Sequence, residues 1–159
     1  MGSVPYFQTP ALEEIQKRLA PCDDFRHGFM GTDQRRLGEI LQADNATVKN
    51  LGLTHKAIAD ALTRLTEEGK KGQGLPVTVD NKFLITVDMA RGKLPCPFGD
   101  KGFFRKTSVT LKKISTNEQL AWSDLALHLI EAHGFYQGKG SPFRLDPANI
   151  AKILELTAE

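Results

Sequence analysis

The sequence predicts an α+β fold, in which a small antiparallel sheet of three to four strands packs with about five helices. Two observations lead to this prediction. Segments with apolar residues at helical spacing begin at a capping residue and end at Gly or Pro. Between them lie a hairpin pattern and two further strand patterns. No linker or internal repeat divides the chain, so we expect residues 1–159 to form a single globular domain.

Composition limits the classes of function. The chain has 159 residues, of which 40% are hydrophobic, which suffices for one packed core. Its 21 basic and 19 acidic side chains leave a net charge of +2, which argues against a strongly basic nucleic-acid binder and a polybasic membrane-surface protein, although it allows a local basic patch. Cys22 and Cys96 are too few for a disulfide framework, and no apolar run of about 18 residues is present. We therefore expect a reduced, cytoplasmic, soluble protein without a membrane partner, whose oligomeric state the sequence leaves open.

Five segments carry helix signals. Each begins at a Ser, Thr or Asp, whose side-chain oxygen can accept a hydrogen bond from an unpaired N–H of the first turn. The predicted caps are Thr9, Thr32, Thr54, Ser123 and Asp146. Gly69 and Gly134 are expected to end the third and fourth helices, because Gly readily takes the left-handed conformation found after a helix.

The hairpin pattern lies in residues 75–87, LPVTVDNKFLITV. A two-residue turn at Asp80-Asn81 would place the apolar side chains of the two strands on opposite faces. A three-residue loop from Asp80 to Lys82 places them on one face, which helices can cover. Residues 104–114 and 119–122 predict the third and fourth strands of an antiparallel sheet.

Residues 51–69, LGLTHKAIADALTRLTEEG, precede this hairpin, and the order resembles a winged helix. The resemblance implies a DNA-binding module with the hairpin as its wing. The residues that would line its positive surface are Lys56, Arg64, Lys70, Lys71 and Lys82. The same helix carries Asp60, Glu67 and Glu68, which offset that charge, so a packed α/β segment is the favoured interpretation and DNA binding is the alternative.

Residues 120–147 contain the chain's only Trp and two of its four His. The helix predicted within them is apolar on most sides, which is typical of a helix packed inside a domain. Asp124, His128 and Glu131 share its polar face, where the carboxylates could orient the imidazole or bind a cation with it. His133 lies nearly opposite.

Cys96 lies between two prolines, so the backbone presents its thiol in a rigid loop. With Asp100, His128 and His133 the chain offers a thiolate, a carboxylate and two imidazoles, which are the ligand types that zinc accepts. On a regular helix the two imidazoles diverge by about 140°. We therefore expect His133 to turn to the core and Cys96 to act as a small buried hydrophobe, with zinc coordination as the alternative.

The loop at residues 134–144 is rich in Gly and carries Tyr136, Lys139 and Arg144. It lacks the spacing of a P-loop, but its backbone N–H groups and these side chains could hold a small anionic ligand. Arg144 can bind a carboxylate or phosphate through two parallel hydrogen bonds. We predict that Cys96, His128 and Arg144 converge on one pocket. In the competing arrangement, Arg144 pairs with an acidic residue on the polar face of the central helix.

These residues predict a binding or interaction protein of unassigned activity. Its small-anion or metal pocket would lie between the Cys96 loop, the central helix and the loop that ends at Arg144. The alternatives are a winged-helix-like DNA-binding protein and a zinc- or Cys-dependent enzyme. The sequence places no nucleophile beside a base, so it assigns no catalytic residue.

Overall fold

The computed structural model of the chain describes residues 9–20 and 28–158. Cys22 and the N-terminal residues 1–8 lie outside this part. The described residues form five helices and one sheet of four antiparallel strands, which confirms the predicted α+β class. The helices and strands are α1 Pro10–Leu19, α2 Leu37–Asn50, α3 His55–Lys70, β1 Val77–Val79, β2 Phe83–Pro95, β3 Phe103–Lys113, β4 Gln119–Ser123, α4 Asp124–His133 and α5 Pro147–Leu154. None of the helices in this part of the chain has the length and apolar composition that a membrane crossing requires.

The sheet is a meander in which each strand pairs with the next, in the order β1-β2-β3-β4. Val79 pairs with Phe83 and Val77 with Ile85, so the hairpin loop has three residues and the apolar side chains share one face, as predicted. Asp80 and Asn81 both take φ of 55°, a left-handed conformation that Asp and Asn tolerate better than most residues. Helices α3 and α4 contact this sheet.

The hairpin formed by β2 and β3 is much longer than the sequence predicted. Strand β2 continues to Pro95, and its residues from Asp88 onward are exposed. Apolar alternation therefore stops at Val87, which is why the pattern did not show the rest of the strand. The pairing register shifts between Met89 and Lys93, which marks a β-bulge. We call residues 88–107 the hairpin arm, and its tip is the loop at residues 96–102.

Four of the five predicted caps are confirmed, but Thr32 is not a cap, because α2 begins at Leu37. A turn held by Asp33 precedes this helix. Its carboxylate accepts hydrogen bonds from the backbone N–H and guanidinium of Arg35 and from the backbone N–H of Lys139. Burial would raise the pKa of Asp33, but these hydrogen bonds and the charge of Arg35 lower it to about 2. The anionic side chain thus satisfies donors in two loops.

The prediction that Gly69 ends the third helix is wrong, since α3 continues to Lys70. A Cβ at Gly69 would lie 2.6 Å from a methyl of Ile85 and 2.8 Å from a methyl of Val87. Gly is therefore needed because the helix approaches the sheet closely at this point, and its conformational freedom plays no part.

Helix α4 is shared by two groups of buried apolar side chains. Ala126 and Ile130 belong to the sheet core, which fills the space between the sheet, α3 and α5. Leu125 and Leu129 belong to the helical core, which α4 forms with residues of α1, α2 and the hairpin tip. This double packing explains why α4 is apolar on most sides.

Because α4 contributes to both cores, we expect them to unfold together. Trp122, 5% exposed, reports on the sheet core by fluorescence, and Cys96, 5% exposed, reports on the helical core by thiol labelling. Urea titrations of a Cys22→Ser variant should give the same midpoint for both probes. Two separated midpoints would show that the cores unfold independently.

Candidate metal centre

The structure brings Cys96, Asp100, His128 and His133 together. Each offers one ligand atom, and all four atoms lie within 4.8 Å of one another. The Sγ atom of Cys96 is 3.7 Å from Nε2 of His133. The Oδ2 atom of Asp100 is 2.7 Å from Nε2 of both His128 and His133. We call these residues the four-residue cluster, and they are the four that the sequence offered as zinc ligands.

Two residues of the cluster come from the hairpin tip, which is fastened to the helical core. Cys96 follows the last residue of β2 and is buried in that core. The N–H of Gly99 donates to the carbonyl of Cys96 at 3.0 Å, which closes a tight turn. Nε of Arg18, on α1, donates to the carbonyl of Pro97 at 2.7 Å. These contacts hold the loop so that Asp100 lies against the last turns of α4.

The two histidine rings are each stacked on a phenylalanine. His133 stacks on Phe98, with ring centroids 4.1 Å apart and planes 11° from parallel. His128 stacks on Phe104, with centroids 4.3 Å apart and planes 28° from parallel. Stacking limits ring rotation, so both Nε2 atoms are held toward Asp100. Neither aromatic residue was predicted to belong to the site, although both lie within four residues of Asp100 in the sequence.

His133 lies against Cys96 and Phe98 of the helical core, as expected, but the expected divergence of His133 from His128 is wrong. Helix α4 remains regular to His133, and Gly134 ends it in the left-handed conformation with φ of 61°. The angle of about 140° separates the directions in which the side chains leave the helix, not the ring atoms at their ends. The ring centroids of His128 and His133 are 5.5 Å apart, and Asp100 reaches both. No distortion of the helix is needed.

The cluster has a buried end and a solvent-facing end. Cys96 is 5% exposed, whereas the side chain of Asp100 is 39% exposed and those of the two histidines are about half as exposed as that. The hydrogen bond from His133 has the largest effect and lowers the pKa of Asp100; desolvation opposes it, and the hydrogen bond from His128 lowers the pKa further. The carboxylate is therefore ionised at neutral pH and faces two imidazole nitrogens.

Arg144 does not join this cluster, contrary to the prediction of one pocket. Its guanidinium forms two hydrogen bonds with the carboxylate of Asp44, at 3.0 and 2.9 Å, and a third with the carbonyl of Gln137 at 2.6 Å. Both ion-pair partners are largely buried, with side chains 14% and 5% exposed. The expected alternative partners, Asp124 and Glu131, are also wrong. Arg144 fastens the glycine-rich loop to α2.

The other residues proposed for an anionic ligand also serve to fix this loop. Tyr136 is buried, and its hydroxyl lies 2.9 Å from Nδ1 of His55. The second ring nitrogen of His55 lies 3.1 Å from the side-chain oxygen of Asn45. Burial raises the pKa of Tyr136 and lowers that of His55, so both are neutral at neutral pH. Lys139 contributes its backbone N–H to Asp33.

The five cations of the winged-helix interpretation all lie beside carboxylates. The ion pairs are Lys56–Asp60, Arg64–Asp80, Lys70–Glu67, Lys71–Glu68 and Lys82–Glu155, at 2.7 to 3.1 Å. Exposed pairs of this kind contribute little to stability, but each offsets the positive charge that a phosphate would meet. The five residues therefore do not form an unpaired basic surface.

Comparison of the chain with protein-family models, with curated proteins and with solved structures finds no match. The geometry of the four-residue cluster is thus the basis for a proposal about function.

Breaking the Arg144–Asp44 pair should strongly destabilise the fold. We expect Arg144→Met to lower the free energy of unfolding by about 3–5 kcal/mol in urea titrations, because Asp44 would be left buried and unpaired. The control Lys139→Met, at an exposed side chain, should change it by less than about 0.5 kcal/mol.

Adding Asp44→Leu to the Arg144→Met variant removes the buried, unpaired carboxylate. The double variant should therefore recover part of the lost free energy of unfolding. Equal stabilities of the Arg144→Met and Lys139→Met variants would show that the ion pair does not fasten the loop.

Proposed function

We propose that the protein binds one zinc ion through Cys96, Asp100, His128 and His133, and that this ion fixes the tip of the hairpin arm to α4. The observation that carries the proposal is the approach of four different donor atoms to within 4.8 Å of one another. Three of the four side chains are held in place without a bound ion. The cysteine is buried, and each imidazole ring is stacked on a phenylalanine.

The donor set favours zinc over the hard cations. Calcium and magnesium take oxygen ligands, whereas a thiolate and two imidazoles are typical of zinc and related transition metals. A tetrahedron with bonds of about 2.0–2.3 Å has ligand atoms about 3.3–3.8 Å apart. The 3.7 Å between Cys96 Sγ and His133 Nε2 falls in this range. The 2.7 Å contacts of Asp100 have hydrogen-bond length, so an ion would displace its carboxylate outward by about 1 Å.

The exposed position of Asp100 allows this displacement. Its side chain is 39% exposed, and the loop that carries it contains Gly99 and Gly102, both with φ of 94°. Rotation of the exposed Asp100 side chain can move its carboxylate while the buried thiol and the stacked rings stay in place. Three of the four donor groups are therefore already in position, and the fourth, the Asp100 carboxylate, can adjust.

Four protein ligands support a structural role for the ion. Catalytic zinc keeps one position for water or substrate, whereas a structural site is closed by protein ligands. The ion would cross-link residues 37 positions apart in the chain, His133 and Cys96. Binding free energy of such a site contributes directly to folding. A zinc-bound thiolate also requires a reduced cysteine, in keeping with the expected cytoplasmic location.

Metal analysis of the untagged protein tests the proposal. We expect about one zinc per chain, and loss of this zinc from Cys96→Ser and His128→Gln. The matched control is Glu131→Gln, which changes an exposed residue on the same helix and should retain zinc. Cobalt substitution adds a second readout, because a thiolate-to-cobalt charge-transfer band should appear in the control and be absent from Cys96→Ser.

Stability gives an independent measurement. After treatment with a chelator, zinc supplied at about 100 times its Kd should raise the free energy of unfolding by about 2.7 kcal/mol. The same addition should leave Cys96→Ser almost unchanged. The proposal is wrong if the protein contains no metal and its stability does not respond to added zinc, or if Cys96→Ser binds zinc as tightly as the parent.

A further inference from the structure

Positive charge is concentrated in the hairpin arm. Residues 88–107 carry five basic side chains and two acidic ones, a net of +3, whereas the whole chain has a net of +2. The basic residues are Arg91, Lys93, Lys101, Arg105 and Lys106. One of the two carboxylates, that of Asp100, is already engaged by two histidines. The rest of the molecule is therefore slightly negative, and the arm is its basic surface.

The arm's cations differ from those on α3. Within the described part of the chain, none of the five forms an ion pair with a carboxylate, whereas Lys56, Arg64 and Lys71 each do. Unpaired cations carry their full charge outward. A partner that contacts this surface need not displace a competing carboxylate.

Two of the cations face each other across the strands. Lys93 pairs with Arg105 in the register of β2 and β3, and like charges directly opposite one another destabilise a sheet. Lys106 lies along the bulge, with its Nζ 3.7 Å from the position that a Cβ on Gly92 would occupy. The Lys106 side chain therefore lies beside Gly92, where it adds a third positive charge to the part of the arm that already holds the Lys93–Arg105 repulsion. This repulsion would be relieved by an anionic partner with several charges.

An exposed aromatic ring lies beside these charges. Phe103 is 68% exposed. It pairs with Pro95, and this pair is the next one toward the tip after Leu94 and Phe104. Proteins that bind single strands combine cations that track the phosphates with aromatic rings on which bases stack. A membrane partner would favour a broad apolar face, whereas the exposed apolar side chains here share a 20-residue arm with five cations.

We propose that the hairpin arm binds single-stranded nucleic acid, with Lys93, Arg105 and Lys106 on the phosphates and Phe103 stacked on a base. This surface is separate from that of the winged-helix interpretation. It does not depend on the proposed zinc, because Lys93 and Arg105 lie on paired residues of β2 and β3 and Lys106 lies on β3 at the bulge.

Fluorescence anisotropy with a labelled oligothymidine of about 20 nucleotides tests this proposal. The variant Lys93→Gln/Arg105→Gln/Lys106→Gln should bind at least about tenfold more weakly at low salt, and the slope of log K against log salt concentration should fall by about 2. The matched control Lys56→Gln/Arg64→Gln/Lys71→Gln removes the same charge from paired cations and should bind within about twofold of the parent. Phe103→Ala should lose about tenfold, and Phe103→Trp should retain binding.

The same variants are used to check folding, and the parent protein is used to test duplex DNA and lipid vesicles as alternative partners. The arm variant should be at least as stable as the parent to urea, because it removes the Lys93–Arg105 repulsion. The proposal is overturned if the parent does not bind the oligonucleotide at low salt, or if the control variant loses as much affinity as the arm variant. Tighter binding to a duplex of equal length or to phosphatidylserine vesicles would also overturn it.

Discussion

The packing of α4 on two sides is the constraint on which the rest of the structure depends. A helix that supplied only one core could rotate to present its polar stripe elsewhere. Here Ala126 and Ile130 face the sheet core while Leu125 and Leu129 face the helical core, so rotation would expose apolar area on both sides. The positions of His128 and His133 are thereby fixed by packing that has nothing to do with a ligand. Functional sites built on such locked elements keep their geometry better than sites built on loops.

The same helix links the parts of the molecule that local sequence would leave separate. The hairpin tip reaches it through Cys96 and Asp100, and the glycine-rich loop leaves from its end at Gly134. Trp122, just before the helix, donates its indole N–H to Thr66 on α3 at 2.7 Å, which fixes the strand that leads into it. Contacts from residues far apart in the chain therefore meet at α4 and at the residues that flank it.

Features set by neighbouring residues could be predicted from the sequence, whereas those set by distant residues could not. The caps at Thr54 and Ser123 and the three-residue loop follow from local hydrogen bonding and strand alternation, and the structure has them. The partner of Arg144 lies 100 residues away, so no spacing rule could identify Asp44. The sequence showed that the chain contains residue types that zinc accepts. It could not show that these four residues meet, because the direction of the His133 ring depends on where the hairpin tip lies.

The difference in depth between Cys96 and Asp100 has a consequence for rates. The thiol is the innermost donor and the carboxylate the outermost, with the two stacked rings between them. Because Cys96 is only 5% exposed, an ion or reagent reaches its sulfur only when the surrounding side chains or backbone move. Chemical modification of Cys96 would then be limited by how often this local packing opens. The rate at which Cys96 is modified would thus measure local opening at the hairpin tip.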